Sequence, residues 1–348
     1  MPFSADSVVV ALERNMWKNA TTQNKNNPSR QAENQTTNPV PVAVNWHCEP
    51  HCNYSCFFCY APFVEQQRKP RLTIVEGYAV LESMKDAGIE KVNFVGGEPM
   101  LHPHIKHWIK HAKALNLTTS IVSNGTRMSS EFLEEMSPYL DWLGLSIDAS
   151  TDVLHAEMGR GLRGEIKKGV SNHLERSKLI IENAKKFGYG IKLNTVVCSV
   201  NQSDDMEELV RWIAPDRWKI FQVLTIKGEN DHMPSYFSVQ DNVFQDYIVR
   251  HQHALSDTPS IQVVPESNEQ MLGTYAMMDA QSYVYTNQNG RYEYSKEPVT
   301  VVGFSEAWST VSQGFSNNAF EERGGTWNWD KENSATLSLP MVDTEAGE

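Results

Sequence analysis

The chain is poor in cysteine, in positive charge and in long apolar runs. It has 5 cysteines in 348 residues, and its 31 Lys plus Arg against 43 Asp plus Glu give a formal charge of −12. Because a net negative protein repels phosphate backbones and anionic bilayers, broad binding to nucleic acid or to a membrane surface is excluded. No run approaches the roughly 18 apolar residues of a membrane span, and residues 8–12 are too short for a signal peptide. We therefore expect a cytoplasmic protein.

The few cysteines are unevenly placed, since four of the five lie between positions 48 and 59. An odd total without a secretion signal argues against a disulfide framework and favours a metal site. Cys52, Cys56 and Cys59 have the spacing C-x3-C-x2-C, so three thiolates could hold a [4Fe–4S] cluster and leave its fourth iron open. Zinc is the alternative, but zinc sites usually pair two C-x2-C halves or add histidines. Cys48 could close the cluster as a fourth ligand, although its place at a strand end before Pro50 disfavours this.

The remaining chain alternates between short β-rich runs and segments with helical spacing. Thr73 and Glu76 have the spacing of a capping box, and apolar residues then follow one helical face up to Gly88. Six such β-then-α units predict an α/β fold with parallel strands and right-handed crossovers. An open, partial (βα)6 barrel fits. A closed eight-unit barrel would need two further units after residue 225, and we find no pattern for them there. The predicted strands cover residues 41–47, 91–95, 118–122, 142–147, 190–198 and 218–225.

Composition divides the chain into four regions. The polar run 21–38 is rich in Asn, Gln and Thr and lacks apolar periodicity, which is typical of a flexible arm. We predict a short helix and flexible arm over 1–40, the barrel over 41–225, a C-terminal extension closing over the substrate over 226–331, and a mobile tail over 332–348.

The cysteine motif, with Phe58 before its last cysteine, resembles the signature of the radical S-adenosylmethionine (SAM) enzymes. One strand later, a glycine loop resembles the loop that presents backbone groups to SAM in those enzymes, and glycine there permits close backbone approach. The resemblance implies a [4Fe–4S] cluster bound by the three cysteines, with SAM at its open iron. The residues of the glycine loop are Gly96, Gly97, Glu98 and Pro99.

Further motifs occur in the order seen in the viperin family, and the resemblance extends from residue 45 to about residue 331. These motifs are residues 121–125, 145–148, 159–161, 192–194, 217–222, 228–230, 264–268 and 323–325. The resemblance implies a microbial lyase that converts a ribonucleoside triphosphate to its 3′-deoxy-3′,4′-didehydro form, a terminator of viral RNA synthesis in antiviral defence. It also implies CTP, UTP or GTP as substrate, an electron donor such as flavodoxin or ferredoxin, and a monomer.

The same resemblance implies that four side chains outside the glycine loop also contact SAM. Arg160, between two glycines, is expected to bind the carboxylate of SAM, and a surface arginine is the alternative interpretation. The three further polar contacts are Ser123, Ser146 and Asn194.

A triphosphate needs positive charge close by, which an acidic protein must supply locally. Four cations lie on or beside three predicted strands, where a charged side chain is costly without a partner. Arg217 and Lys219 share one face of their strand because alternate residues point the same way. Snorkelling to the surface would explain any one of these cations, but explains the four together less well. The expected nucleotide contacts are Asn45, Lys91, Asn93, Lys192, Arg217, Lys219 and Arg323.

Tyr275 resembles the tyrosine that is proposed in the family to deliver the closing hydrogen, and a packed aromatic on a helix is the equal alternative. The chain departs from the family pattern at Tyr292, where a lysine is frequent, and at Thr326 and Trp327, where animal members have a lysine and an aromatic residue. Base preference is therefore not carried over.

Two other classes of protein remain as alternatives. A peptide-modifying radical SAM maturase commonly carries extra cysteine clusters near its C-terminus, and none follows Cys198. A non-catalytic iron–sulfur or nucleotide-binding protein would show no SAM cleavage.

Overall fold

The computed structural model of the protein describes residues 40–329. The helix and arm predicted before residue 40, and the tail predicted after residue 331, lie outside the described residues. Residues 40–329 contain ten strands: β1 (Ala43–Glu49), β2 (Lys91–Gly96), β3 (Thr118–Ser123), β4 (Trp142–Ser146), β5 (Gly190–Val197), β6 (Arg217–Gln222), β7 (Gln262–Glu266), β8 (Met277–Met278), β9 (Val284–Thr286) and β10 (Glu293–Tyr294). The α-helices are α1 (Ile74–Asp86), α2 (Ile105–Ala114), α3 (Ser130–Met136), α4 (Asp152–Glu157), α5 (Arg163–Ile166), α6 (His173–Lys186), α7 (Glu207–Ile213), α8 (Asp241–Ala254), α9 (Asn268–Met271), α10 (Val299–Val302), α11 (Phe304–Ser309) and α12 (Asn317–Glu322).

All ten strands belong to one sheet with the order β10-β9-β8-β1-β2-β3-β4-β5-β6-β7. Strands β1 to β7 pair in parallel with their neighbours in sequence, and β8 pairs in parallel with the other side of β1. Within residues 40–329, the antiparallel pairs are β8 with β9 and β9 with β10. The α/β class and the partial barrel are confirmed, and each predicted strand is present with its ends shifted by no more than three residues.

A seventh parallel strand extends the sheet beyond the six that were predicted. No unit was expected after residue 225, and the structure corrects this: α8 leads into β7, which pairs with β6. The strand contains Pro265, which has no N–H for a sheet and so obscures the strand pattern. Proline is tolerated here because β7 is the last strand in the sheet order and needs partners on one side only.

Helix α1 forms as its sequence predicts and covers part of the outer face of the sheet. The Thr73 Oγ1 accepts from the Glu76 N–H at 3.3 Å, while the Glu76 carboxylate accepts from the Thr73 N–H at 2.8 Å, so the capping box is confirmed. A Cβ at Gly77 would lie 2.0 Å from the Trp108 ring, so only glycine lets α2 approach α1 this closely. Among the described residues, no helix is long and apolar enough to cross a membrane.

The alternation of side chains along the strands places polar side chains on the face of the sheet that lines a central cavity. Apolar side chains lie on the opposite face, in the hydrophobic core. On β1, Asn45 and His47 line a central cavity, whereas Trp46 is fully buried in the hydrophobic core outside the sheet. On β6, Lys219 lines the same cavity while Trp218 lies in the core. Because successive residues of a strand point to opposite faces, the core packing of the tryptophans directs the polar residues inward.

Candidate active site

The cysteine loop follows β1 and forms one wall of the central cavity. Cys52, Cys56 and Cys59 all line this cavity and all carry free thiols. Cys48 faces the other way: its thiol is buried in the core and donates to the Val95 carbonyl at 3.5 Å. The structure therefore separates three cysteines that can share a ligand from a fourth that packs against the helices.

These three thiols fit an iron–sulfur cluster better than a single metal ion. Within residues 40–329, no group of three or more His, Cys, Asp or Glu side chains converges on the position of one metal ion. A [4Fe–4S] cluster takes one thiolate per iron, so its ligands are spaced around a cube. Burial raises the pKa of Cys52 and of Cys56 to about 12, so these thiols need a bound cation to become thiolates.

The glycine loop after β2 lies directly on the cysteine loop. The Gly97 N–H donates to the Glu49 carbonyl at 2.7 Å, and the Glu98 N–H donates to the His51 carbonyl at 2.8 Å. A Cβ at Gly97 would lie 2.4 Å from the His51 oxygen, and one at Gly96 would lie 2.3 Å from the Glu49 oxygen. Glycine is therefore required at positions 96 and 97 because the backbone of the cysteine loop approaches them closely.

Two of the predicted SAM contacts lie behind the cavity wall. Gly96, Gly97 and Ser123 line the cavity, but Glu98 and Pro99 do not. The Glu98 carboxylate is fully buried and accepts from the Ser123 hydroxyl at 2.7 Å and from the Asn124 N–H at 2.8 Å. Burial raises the pKa of Glu98 to about 7. Glu98 thereby ties the glycine loop to the end of β3.

Arg160 is brought to the cavity by a loop that packs under the cysteines. The Phe57 N–H donates to the Met158 carbonyl at 3.1 Å. The guanidinium is ion-paired with Asp148, lies 5.4 Å from the Phe58 ring centroid, and is only 8% exposed. The surface alternative for Arg160 is therefore excluded, and its partner Asp148 belongs to the 145–148 motif, for which the sequence had suggested no ion pair.

The other two predicted SAM contacts are neighbours in the sheet. Ser146 on β4 lies opposite Asn194 on β5, and both line the cavity. The Asn194 Oδ1 is buried and has no hydrogen-bond partner in the described part of the chain. An unpaired buried carbonyl is costly, so a ligand that donates to it is expected here.

The predicted nucleotide residues form layers along the barrel. Lys91 lies at the start of β2, while Lys192 on β5 lies opposite Arg217 at the start of β6. Two residues further along their strands, Asn45 lies opposite Asn93, and the Asn93 amide donates to the Asn45 Oδ1 at 3.1 Å. At about 3.3 Å per residue, the asparagines are about 6.6 Å nearer to the cysteine end. The cavity therefore runs from cations through asparagines to thiols.

Three of these cations are buried without a carboxylate partner in residues 40–329. Lys91 lies 4.7 Å from the Trp327 ring centroid, and Lys192 donates to the Ser120 hydroxyl. Arg217 donates to the Gln262 side chain and to the Gly324 carbonyl, each at 2.8 Å. The cations are 7%, 6% and 3% exposed, which rules out snorkelling. Burial lowers the pKa of Lys192 to about 7.

A separate group surrounds one carboxylate of the 264–268 motif, to which the sequence had assigned no role, and its members are Lys219, Arg323 and Tyr275. Glu266 is fully buried and ion-paired with Lys219 at 2.6 Å and with Arg323 at 2.9 Å. Tyr275 also donates to Glu266, and it lies between α9 and β8 rather than on a helix. A search for a counter-charge to five predicted buried cations could have indicated this carboxylate. Strand parity could have indicated His47, whose unpartnered Nδ1 lies on the cavity face of β1.

The chain is similar to known proteins in sequence and in fold. A family profile described as the radical SAM superfamily matches residues 49–213. The S-adenosylmethionine-dependent nucleotide dehydratase of Lacinutrix mariniflava is 36% identical over 87% of this chain, which spans 62% of that relative's length. The enzyme of the same name from Flammeovirga pacifica is 33% identical over 84% of this chain and 97% of its own length. The structure of native anSMEcpe with bound AdoMet matches with a TM-score of 0.63 at 13% identity, over 84% of this chain and 87% of that one, which shows the fold.

Proposed function

The chain belongs to the S-adenosylmethionine-dependent nucleotide dehydratases, the viperin family of radical SAM enzymes, and we propose that it acts on a ribonucleoside triphosphate. The product is the 3′-deoxy-3′,4′-didehydro nucleotide, a chain terminator for viral RNA synthesis. The observation that carries this proposal is the order of groups along one cavity, with buried cations at one end, asparagines in the middle and the three cysteines at the other.

That order matches the order of groups in the substrate. Lys91, Lys192 and Arg217 bind the triphosphate, because buried cations without carboxylate partners gain most from an anionic ligand. Asn45 and Asn93 then lie level with the ribose hydroxyls. The ribose C4′ consequently faces the cysteine end of the cavity, where the cofactors bind.

When bound, the cluster and SAM supply the one-electron chemistry that removes the hydrogen atom from ribose C4′. Loss of the 3′ hydroxyl as water, together with one electron and one proton, completes the C3′–C4′ double bond. Tyr275 can deliver both as one hydrogen atom, which breaks its O–H bond and leaves a tyrosyl radical; one electron from the electron donor and one proton from solvent then restore the hydroxyl. The proposal includes CTP, UTP or GTP as substrate, a flavodoxin or ferredoxin as donor, and a monomeric cytoplasmic enzyme.

The four common ribonucleotides test the function directly. Anaerobically reconstituted enzyme would be incubated with dithionite, SAM and either CTP, UTP, GTP or ATP, and 5′-deoxyadenosine and didehydro nucleotide would be quantified by mass spectrometry. We expect both products with at least one nucleotide. Absence of 5′-deoxyadenosine in every reaction would indicate a binding protein, and 5′-deoxyadenosine without altered nucleotide would favour a peptide-modifying enzyme.

Nucleotide binding should take up protons from solution. Burial and the neighbouring cations lower the pKa of Lys192 to about 7, so Lys192 is largely neutral in the free site above pH 7, and they hold the pKa of Lys91 well below its usual range. A bound triphosphate favours the charged form of both lysines, so Lys192 should take up as much as about one proton per nucleotide, and Lys91 acts in the same direction. Affinity should therefore weaken from pH 7 to pH 9. Calorimetry in buffers of different ionisation enthalpy measures this uptake, and zero uptake would contradict the assignment.

Replacing Lys192 by glutamine should weaken nucleotide binding without loss of the cluster. A charge-assisted contact in a buried site is worth about 1.5–3 kcal/mol, which corresponds to an affinity loss of about 10- to 150-fold. The matched control is Lys227→Gln, because Lys227 is exposed on the segment after β6 and this variant should bind nucleotide like the parent. Equal affinities for both variants would remove Lys192 from the phosphate site.

A further inference from the structure

In the described part of the chain, one carboxylate is ion-paired with two of the five cations of the nucleotide cavity. Glu266, the last residue of β7, is 0% exposed. Its Oε1 accepts from Lys219 at 2.6 Å and from Arg323 at 2.9 Å, and its Oε2 accepts from the Tyr275 hydroxyl. The three donors line the cavity, whereas Glu266 lies behind them. One carboxylate thus connects the tyrosine to two of the cations.

Glu266 is ionised in this setting. Burial by itself raises the pKa of a carboxyl group, but the charges of Lys219 and Arg323 and the hydrogen bonds of Lys219 and Tyr275 bring the pKa of Glu266 below its ordinary value. An ionised carboxylate accepts hydrogen bonds only. In the free site the Tyr275 hydroxyl consequently donates to Glu266, which holds its oxygen in place, and rotation about the Cζ–Oη bond turns the same hydrogen toward the cavity for the transfer.

Arg323 and Lys219 hold the tyrosine from its other sides. The Lys219 Nζ lies 3.1 Å from the Tyr275 oxygen, and the Arg323 guanidinium lies 4.1 Å from the Tyr275 ring centroid. Arg323 also donates to the Thr274 carbonyl at 2.8 Å, which attaches the group to the backbone just before the tyrosine. Every polar contact of Tyr275 in the described residues is therefore with Glu266 or with one of its two partners.

The carboxylate divides the cavity cations into two groups. Lys219 and Arg323 are compensated by Glu266, whereas Lys91, Lys192 and Arg217 have no ion pair within residues 40–329. A triphosphate gains most from the uncompensated group, because a compensated cation must first exchange its own partner. Lys219 and Arg323 therefore contribute more to the environment of Tyr275 than to phosphate affinity.

We propose that Glu266 is a positioning residue for the closing hydrogen transfer, because it fixes the Tyr275 hydroxyl at the cavity wall together with Lys219 and Arg323. This inference rests on the proposed function and adds a residue that acts through Tyr275. Without the carboxylate, the hydroxyl loses its acceptor and two cations lose their counter-charge. The early half of the reaction, up to hydrogen removal from C4′, does not need Glu266.

The test compares Glu266→Gln with Tyr275→Phe in reconstituted holoenzyme. Both variants should still cleave SAM when nucleotide is present, while didehydro product per 5′-deoxyadenosine should fall by at least about tenfold. The double variant should be no worse than either single variant, because both remove the same step. The control is Glu269→Gln, three residues away on an exposed position, which should keep the parent ratio.

Nucleotide affinity separates positioning from general structural damage. Glu266→Gln removes a negative charge beside the cavity, so calorimetry on the holoenzyme without reductant should give parent or tighter affinity for the nucleotide. A damaged pocket would bind more weakly. If Glu266→Gln does not fold, Glu266→Asp keeps the charge and withdraws the carboxylate by about 1.5 Å, and it should lower the product ratio at unchanged Tm.

The outcomes are distinct. A parent product ratio in Glu266→Gln, or in Glu266→Asp where only that variant folds, overturns the inference and leaves the proposed function intact. A joint loss of SAM cleavage and nucleotide affinity also overturns the inference, because Glu266 would then be structural. A parent enzyme that makes no didehydro product from any nucleotide overturns the proposed function, and the inference falls with it.

Discussion

Replacing Cys56 by alanine should remove the iron–sulfur cluster and lower SAM cleavage by at least about 100-fold, since even residues that only support metal ligands cost 10- to 100-fold when they are changed. Cys56 lies in the middle of the three cavity thiols. Loss of one ligand exposes an iron to solvent and lets the cluster fall apart. Iron and sulfide content, the visible absorbance of the cluster and 5′-deoxyadenosine yield measure the effect.

Cys48→Ala is the matched control for this experiment. Its thiol lies on the core side of β1, where it donates only to the Val95 carbonyl. Its removal should cost about 1 kcal/mol of unfolding free energy and leave iron content and SAM cleavage at parent levels. Cluster loss in Cys48→Ala equal to that in Cys56→Ala would establish a four-cysteine cluster and contradict an open iron.

Replacing Gly97 by alanine should abolish productive SAM binding while the cysteine loop remains in the chain. The added Cβ would lie 2.4 Å from the His51 oxygen and 2.9 Å from the Pro50 oxygen, and both are backbone atoms that cannot rotate away. The glycine loop must therefore shift from the cysteine loop. A displacement of about 1 Å costs a reaction about 100-fold, so we expect at least that loss in 5′-deoxyadenosine formation.

Gly164→Ala controls for the change from glycine to alanine itself. Gly164 lies on the short helix α5, and a Cβ there meets nothing within 4 Å. This variant should retain the parent rate, and a slight gain in stability is expected because alanine is the better helix former. Parent activity in Gly97→Ala would show that the two loops can separate without loss of SAM cleavage. Circular dichroism and Tm confirm that both variants fold.

Both experiments concern the end of the barrel where local sequence was most informative. The three cysteines act within one short loop, so their spacing along the chain already limits what they can hold together. The adjacent glycines Gly96 and Gly97 likewise indicate that another backbone segment or a ligand approaches the chain closely at this point. What the spacing could not show is that this approach is to residues 49–51, because the two loops meet only when β1 and β2 pair.

Strand periodicity predicted which cations face the cavity, but it did not predict which residues those cations contact. Arg217 and Lys219 face the same interior, as their spacing predicts. Their roles nevertheless differ, because Lys219 meets Glu266 and Arg217 meets Gln262 and Gly324. Proline in β7 also hid the strand that carries Glu266, since the pattern of that strand makes sense only at the edge of a sheet.

The sequence by itself indicated three thiolates in one loop, a parallel α/β architecture and a shared face for Arg217 and Lys219, because each follows from spacing along one segment or from the alternation of β and α segments. The SAM chemistry followed from the resemblance of the cysteine and glycine motifs to those of the radical SAM enzymes. The tertiary structure alone decided which cations remain free for an anion, that Arg160 pairs with Asp148, and that Tyr275 is held by Glu266. The physical reason is that the balance of buried charge depends on distances between chain segments far apart in sequence. Burial makes each of those distances energetically decisive, and no periodicity along the chain encodes them.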